Sequence, residues 1–256
     1  MKKQKTFLLP IILVFSLSCQ FLFPAREGTI ISACTDIVKA LRDLQPGEIP
    51  QHLQDTGVKI GNEFNANDYF NALTQISMQE GFVLDYLYQS DFLGAFPMLY
   101  VRPEGQPGYA SLKDIPPGTD LPDYHDHIVI EDVEQGYFEY VLMEIMAGQF
   151  YLYWHASYND TRIVCNRDEA DAIIADINAG DFGMEFDASQ KARARTMKDI
   201  EPLVKMTTDA AMVELVTFTK WGGFYRRTYT ISRSFPHTIL NVEEENLVPY
   251  DCGIMF

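Results

Sequence analysis

The chain has 256 residues with 36 acidic against 20 basic side chains, a formal net charge of −16 at neutral pH. Such a surface repels phosphate backbones and anionic headgroups, which argues against nucleic acid as a partner and against direct headgroup binding. At 47% hydrophobic and 13% aromatic residues, the chain is too apolar to stay disordered and long enough to bury a sizeable core.

Lys2, Lys3 and Lys5 precede an apolar run from Thr6 to Ser18, and Cys19 follows at once. This is the layout of a bacterial export signal over residues 1–18, with the small residues Ser16 and Ser18 placed for a peptidase. Cys19 is then the first mature residue and the candidate for lipidation, which would anchor the protein to the membrane at the outer face of the cell. Secretion without a lipid and an uncleaved anchor are the alternatives. The anchor is short, because Pro10 and Gln20 interrupt a span that needs about 20 predominantly apolar residues. Removing the signal, which carries three lysines and no acids, takes the net charge to −19. Residues 19–30 read as a short membrane-proximal tether and residues 31–256 as a single domain. Ile31-Ser32-Ala33-Cys34 imitates a lipidation motif, but Arg26 and Glu27 stand where its apolar run belongs, so Cys34 reads as the start of a helix.

Ile37, Val38, Leu41 and Leu44 recur at helical spacing, with Pro46-Gly47 as the stop. A second helix is predicted from Asn67 as its cap through Tyr69, Phe70, Leu73 and Ile76 to Gly81. Strands follow over Phe82 to Tyr88 and Phe96 to Val101, then a Pro- and Gly-rich connection over residues 103–123. Further strands are predicted at His127 to Ile130 and Phe138 to Met146. Gln149 to His155 is expected to pair with Thr161 to Cys165 through the turn at residues 157–160.

A third helix starts at the cap Asn166, places Asp168 and Glu169 at the positive end of its dipole and buries Ala170, Ile173, Ile174 and Ile177. A fourth starts at Asp187 with Gln190 at capping-box spacing and carries Met197 and Ile200 inward. The last hairpin joins Val213–Thr219 to Phe224–Ile231 through Trp221-Gly222-Gly223, and the apolar C-terminus is expected to pack. Together these elements predict an α+β fold: predominantly antiparallel sheet built from β-hairpins, with about four interspersed helices.

With Cys19 lipidated, Cys34, Cys165 and Cys252 remain, enough for one disulfide and one thiol in an oxidising compartment, with all three pairings open. No phosphate loop, nucleotide-binding glycine triplet, GxSxG elbow or HExxH helix is present, and no catalytic residue is assigned.

His125-Asp126-His127 would point two imidazoles to one face of a strand, the geometry a transition metal needs. With Glu131 four residues on, and His155 followed by Asn159 further along, the pattern resembles the two metal motifs of the cupin barrel. The resemblance implies His125, His127, Glu131 and His155 as ligands of one divalent transition metal in a metal-dependent enzyme. The alternative is structural: histidines solvated among Asp120, Asp123, Asp126 and Asp132, His155 satisfied by Asp160, and no cofactor.

The aromatics supply a second candidate surface. Trp154 and Tyr158 lie at one hairpin and Trp221 and Tyr225 at another, an arrangement suited to a protein or carbohydrate ligand, with core packing as the alternative. Trp221, beside two glycines, is the one expected to be exposed. Lys191, Arg193, Arg195 and Lys198 form the basic island, read as a solvated helix face or a docking patch. The leading expectation is an exported binding or scaffolding module at the outer face of the cell. The metal-dependent enzyme is the alternative.

Overall fold

The computed structural model describes residues 27–90, 94–154, 161–180 and 183–254. The export signal, Cys19, the turn at residues 157–160 and Phe256 lie outside the described residues. In chain order the elements begin with β1 (Thr29–Ile30), α1 (Cys34–Leu44), α2 (Gln51–Thr56), β2 (Ile76–Met78), β3 (Phe82–Ser90), β4 (Gly94–Pro103), β5 (Ile128–Ile130) and α3 (Glu134–Met146). They continue with β6 (Tyr153–Trp154), β7 (Arg162–Val164), α4 (Arg167–Ala179), α5 (Ala188–Arg195), β8 (Leu203–Met206), β9 (Ala210–Thr219), β10 (Gly223–Ser232) and β11 (Ile239–Pro249). The fold is α+β with antiparallel pairing, as the alternation of helices and hairpins predicts.

The main sheet runs β1-β8-β9-β10-β11. β8 pairs with Ala211–Glu214 and β7 with Val216–Phe218, so the two short strands lie end to end along one edge of β9. Side chains alternate across a strand, and here the alternation feeds two cores. Ala211, Val213 and Leu215 enter a large core with α1 and α3, whereas Val216 and Phe218 enter a second with α4, Phe186, Phe224 and Tyr250. The hairpin β9–β10 forms where predicted. Its turn needs a glycine at position 223, where φ is +89° and an added Cβ would lie 2.0 Å from the Val248 carbonyl oxygen.

Two smaller sheets complete the large core: β2 with β5, and β3-β4-β6. Several local expectations change here. Phe138–Met146 is not a strand but part of α3, whose residues from Gly136 to Met143 are all buried. A helix buried on every side has no polar stripe, so its sequence loses the 3.6-residue period and reads as an apolar strand. The predicted second helix is a single 3-10 segment, Ala66–Asn71, capped by Asn65, while Ile76 belongs to β2. Asn67 serves another purpose, its amide bonding both the N–H and the carbonyl of Leu84. The hairpin expected between residues 149–155 and 161–165 does not form. Tyr153 and Trp154 pair with Ala95 and Gly94, and β7 joins β9.

The third and fourth helices appear as α4 and α5, capped by Asn166 and by the Asp187–Gln190 box. Among the open pairings, Cys34 bonds Cys165, leaving Cys252 as a buried thiol. The Glu169 carboxylate accepts from the Cys165 N–H and the Thr35 hydroxyl, so the first turns of α1 and α4 are tied beside the disulfide. No helix among the described residues is long and apolar enough to cross a membrane.

The disulfide spans 131 residues, and a loop of that length loses about 3–5 kcal/mol of stability on opening. Urea unfolding of the oxidised protein is expected to show a clearly higher midpoint than a Cys34→Ala/Cys165→Ala double variant. Equal midpoints would refute the stapling role.

Candidate functional site

Of the predicted metal-binding residues, the three within the described residues, His125, His127 and Glu131, are not gathered around one point. Tyr124–His127 is a 3-10 turn rather than a strand, so His125 and His127 do not share a pleat face. His125 Nδ1 lies 2.8 Å from Asp123 Oδ1, and its Nε2 makes a 2.7 Å charge contact with Glu144 Oε2 that is off the hydrogen-bond line. His127 Nδ1 meets Gln79 Oε1 at 2.9 Å, and its ring packs on Phe82. Glu131 is exposed and His155 lies outside the described residues. Among the described residues, no three His, Cys, Asp or Glu side chains are grouped to hold a metal ion.

His125 is instead a structural clamp. Burial among Tyr124 and Tyr140 disfavours its proton, but the charges of Glu144 and Asp123, with the hydrogen bond to Asp123, outweigh that and raise its pKa. Since the folded-state pKa exceeds the unfolded one, the clamp contributes fully below the ordinary histidine range and is lost as pH rises through the raised value. As pH rises from the ordinary histidine range through that raised value, the melting temperature should therefore fall more steeply in the native protein than in His125→Gln. Parallel curves would remove the clamp.

The aromatic candidates divide between two places. Trp221 and Tyr225 share the β9–β10 turn, where the Tyr225 ring closes over Gly222, but Trp221 is half-buried against the second core rather than exposed. Trp154 sits on β6 in a different sheet, and Tyr158 lies outside the described residues. Of the basic island, Arg193 donates to the Leu247 carbonyl and so helps to dock α5 on β11.

A concavity lies elsewhere, between β3, the end of β4, the 3-10 segment at residues 66–71 and the loop at residues 108–110. It is a cleft of about 370 Å³ whose lining includes Lys59, Glu63, Asp85, Tyr86, Arg102 and Tyr109. Asp85 is its hub. Oδ1 accepts from Lys59 Nζ at 2.5 Å and from the Tyr86 N–H at 2.7 Å. Oδ2 accepts from Arg102 Nε at 2.7 Å and from the Tyr100 hydroxyl at 3.3 Å. The register explains this convergence: Asp85 faces Tyr100 across the β3–β4 ladder, which puts Arg102 on the diagonal. Gly108 must lack a side chain, because a Cβ there would lie 2.0 Å from Asp85 Oδ2. Lys59 also sits 4.6 Å from the centre of the Tyr86 ring, a cation–π distance.

Burial pushes the Asp85 carboxyl up, but hydrogen bonds from Lys59, Arg102 and the Tyr86 N–H, with the charge of Lys59, hold it below the ordinary range. The carboxylate's stabilisation is accordingly present above that range and lost as pH falls through the depressed value. Burial likewise raises the Tyr100 phenol to about 12, so it is a neutral hydrogen-bond donor at neutral pH. Tyr86 is 2% exposed, and its hydroxyl has no hydrogen-bond partner among the described residues.

Sequence reasoning missed this cleft, although it carried one signal. Asp85 is a lone charge inside Phe82-Val83-Leu84-Asp85-Tyr86-Leu87-Tyr88, where burial demands a partner. Lys59 comes from a loop with no pattern to place it. Comparison with protein families, curated proteins and solved structures finds no match to this chain. The functional reading therefore rests on the residues themselves.

Replacing Asp85 by Ala leaves Lys59, 13% exposed, and Arg102, 27% exposed, without their shared counter-charge. A loss of about 2–3 kcal/mol in chemical denaturation at neutral pH is expected. A loss below about 0.5 kcal/mol, the level of an ordinary surface change, would show that Asp85 is not the hub.

Proposed function

We propose that the chain is an exported binding module, held to the outer face of the cell membrane by a lipid on Cys19, that receives a small polar ligand in the Asp85 cleft. The observation that carries this reading is the cleft itself: a concave site where two cationic side chains converge on one partly buried carboxylate beside aromatic rings. Pockets with a few convergent polar groups and perturbed titration are where ligands are bound. The aromatic residues predicted as a shared binding surface do not offer a comparable concavity, since Trp221 is half-buried and Trp154 belongs to another sheet.

The location is supported by two features. The basic start, apolar run and Cys19 have the order that export and lipidation require. The Cys34–Cys165 bond suits an oxidising compartment, since reducing cytosol disfavours such bridges. The short tether would keep the ligand site close to the membrane.

Cells fed radioactive palmitate should label the native protein and recover it with membranes, whereas Cys19→Ala should be unlabelled and soluble. Label retained on Cys19→Ala would overturn the anchor. For the cleft, nuclear magnetic resonance of the exported protein against a set of small polar fragments should move the amide signals of Lys59, Asp85 and Arg102. Shifts confined to other surfaces would overturn the site.

A further inference from the structure

The hydrogen-bond ledger of the cleft is one-sided. Its carboxylate and side-chain amide oxygens are engaged from within. Both oxygens of Asp85 are taken by Lys59, Arg102, Tyr100 and the Tyr86 N–H. The Glu63 carboxylate is taken by His52 Nε2 at 2.6 Å and by the N–H groups of Ile60 and Gly61. The Asn67 carbonyl oxygen is taken by the Leu84 N–H, and that of Asn65 by the N–H and side-chain amide of Asn67.

The donors are not exhausted. The Lys59 ammonium carries three N–H bonds and makes one hydrogen bond to the described residues, to Asp85. Arg102 uses Nε on Asp85 and Nη1 on the carbonyls of Pro103 and Gln106, which leaves Nη2 without a hydrogen bond to the described residues. Two cations, Lys59 and Arg102, converge on Asp85, while the Glu63 carboxylate is engaged by His52 and the loop backbone.

A site whose spare hydrogen-bond donors sit on two cations, with its carboxylate and amide oxygens already engaged, selects a ligand that accepts hydrogen bonds, best as an anion. Resting on the cleft reading above, we propose that it is an oxyanion subsite: Lys59 Nζ and Arg102 Nη2 receive a carboxylate or phosphate group of a small solute. Asp85 is the positioning residue. It holds the two cations side by side and limits the affinity by cancelling one of them. The overall acidity of the chain does not forbid this, because charges beyond about 8 Å are largely screened at physiological salt.

The decisive comparison needs no variant. Acetate and acetamide have nearly the same shape and differ in charge, so the native protein is titrated with each at constant ionic strength, following the amides of Lys59, Asp85 and Arg102. Saturable shifts with acetate, at least tenfold weaker with acetamide, are expected. Inorganic phosphate in a parallel titration separates the two sources of oxyanion by its ratio to acetate. Lys59→Met and Arg102→Gln should each weaken the binding at least tenfold, and Lys205→Met on β8 should leave it unchanged. Equal binding of acetate and acetamide would overturn the oxyanion subsite while keeping the cleft as a neutral-ligand site. No shift at the cleft with any charged or neutral fragment would overturn both.

Discussion

The structure depends on β9 being buried on both faces over its second half. A strand covered on one side needs only alternate apolar residues, whereas one covered on both needs nearly every residue to be apolar or satisfied. Leu215, Val216, Thr217 and Phe218 are all almost fully buried, with Leu215 in the α1–α3 core and Val216 and Phe218 in the α4–α5 core, while Thr217 is the exception whose hydroxyl has no partner among the described residues. In its first half, Met212 is exposed, because no helix covers that end of the second face. Slippage by one residue would exchange the two cores, so the register is set by packing on both sides at once.

Two layers on opposite faces of a sheet touch each other only around its edge, and there this protein is cross-linked. Cys34 opens α1 and packs in the first core, while Cys165 ends β7 and leads through the cap Asn166 into α4 of the second. The bond is reinforced by Asn166, which caps α4 through Glu169 N–H and donates to Thr35. Arg167 then donates to the carbonyls of Ala194 and Met197, tying α4 to the end of α5. The covalent link thus begins a polar chain that runs from the first helix to the last.

What the sequence made legible follows from where each element's partners lie. The helices α1, α4 and α5 and the β9–β10 hairpin carry their own caps, periods and turn residues, and were readable. The elements misread were those decided by distant neighbours. α3 hides its helical period because it is enclosed, and Tyr153 leaves its expected hairpin because β4 offers an edge. The strand expected under the histidine pair is absent for a similar reason. A spacing of two residues means a shared face only on a strand, and Asp123 caps the segment into a 3-10 turn by accepting the His125 N–H. The cleft was hidden most deeply, since Lys59, Asp85 and Arg102 belong to three segments and only Asp85 was conspicuous in its own.

The charge balance gives that cleft its meaning. In a chain with 36 acids to 20 basic residues, carboxylates are abundant and cations scarce. Several cations are paired with acids: Arg226 meets both Glu214 and Glu245, Arg227 meets Glu244, and Arg233 meets Asp132. At Asp85 two cations meet one carboxylate in a half-buried concavity, with the Glu63 carboxylate lining the same cleft. Holding these charges partly out of water costs stability, and folding alone would be served as well by an apolar pair. The close approach of Gly108, where a Cβ would lie 2.0 Å from Asp85 Oδ2, is what lets the loop close over this cluster.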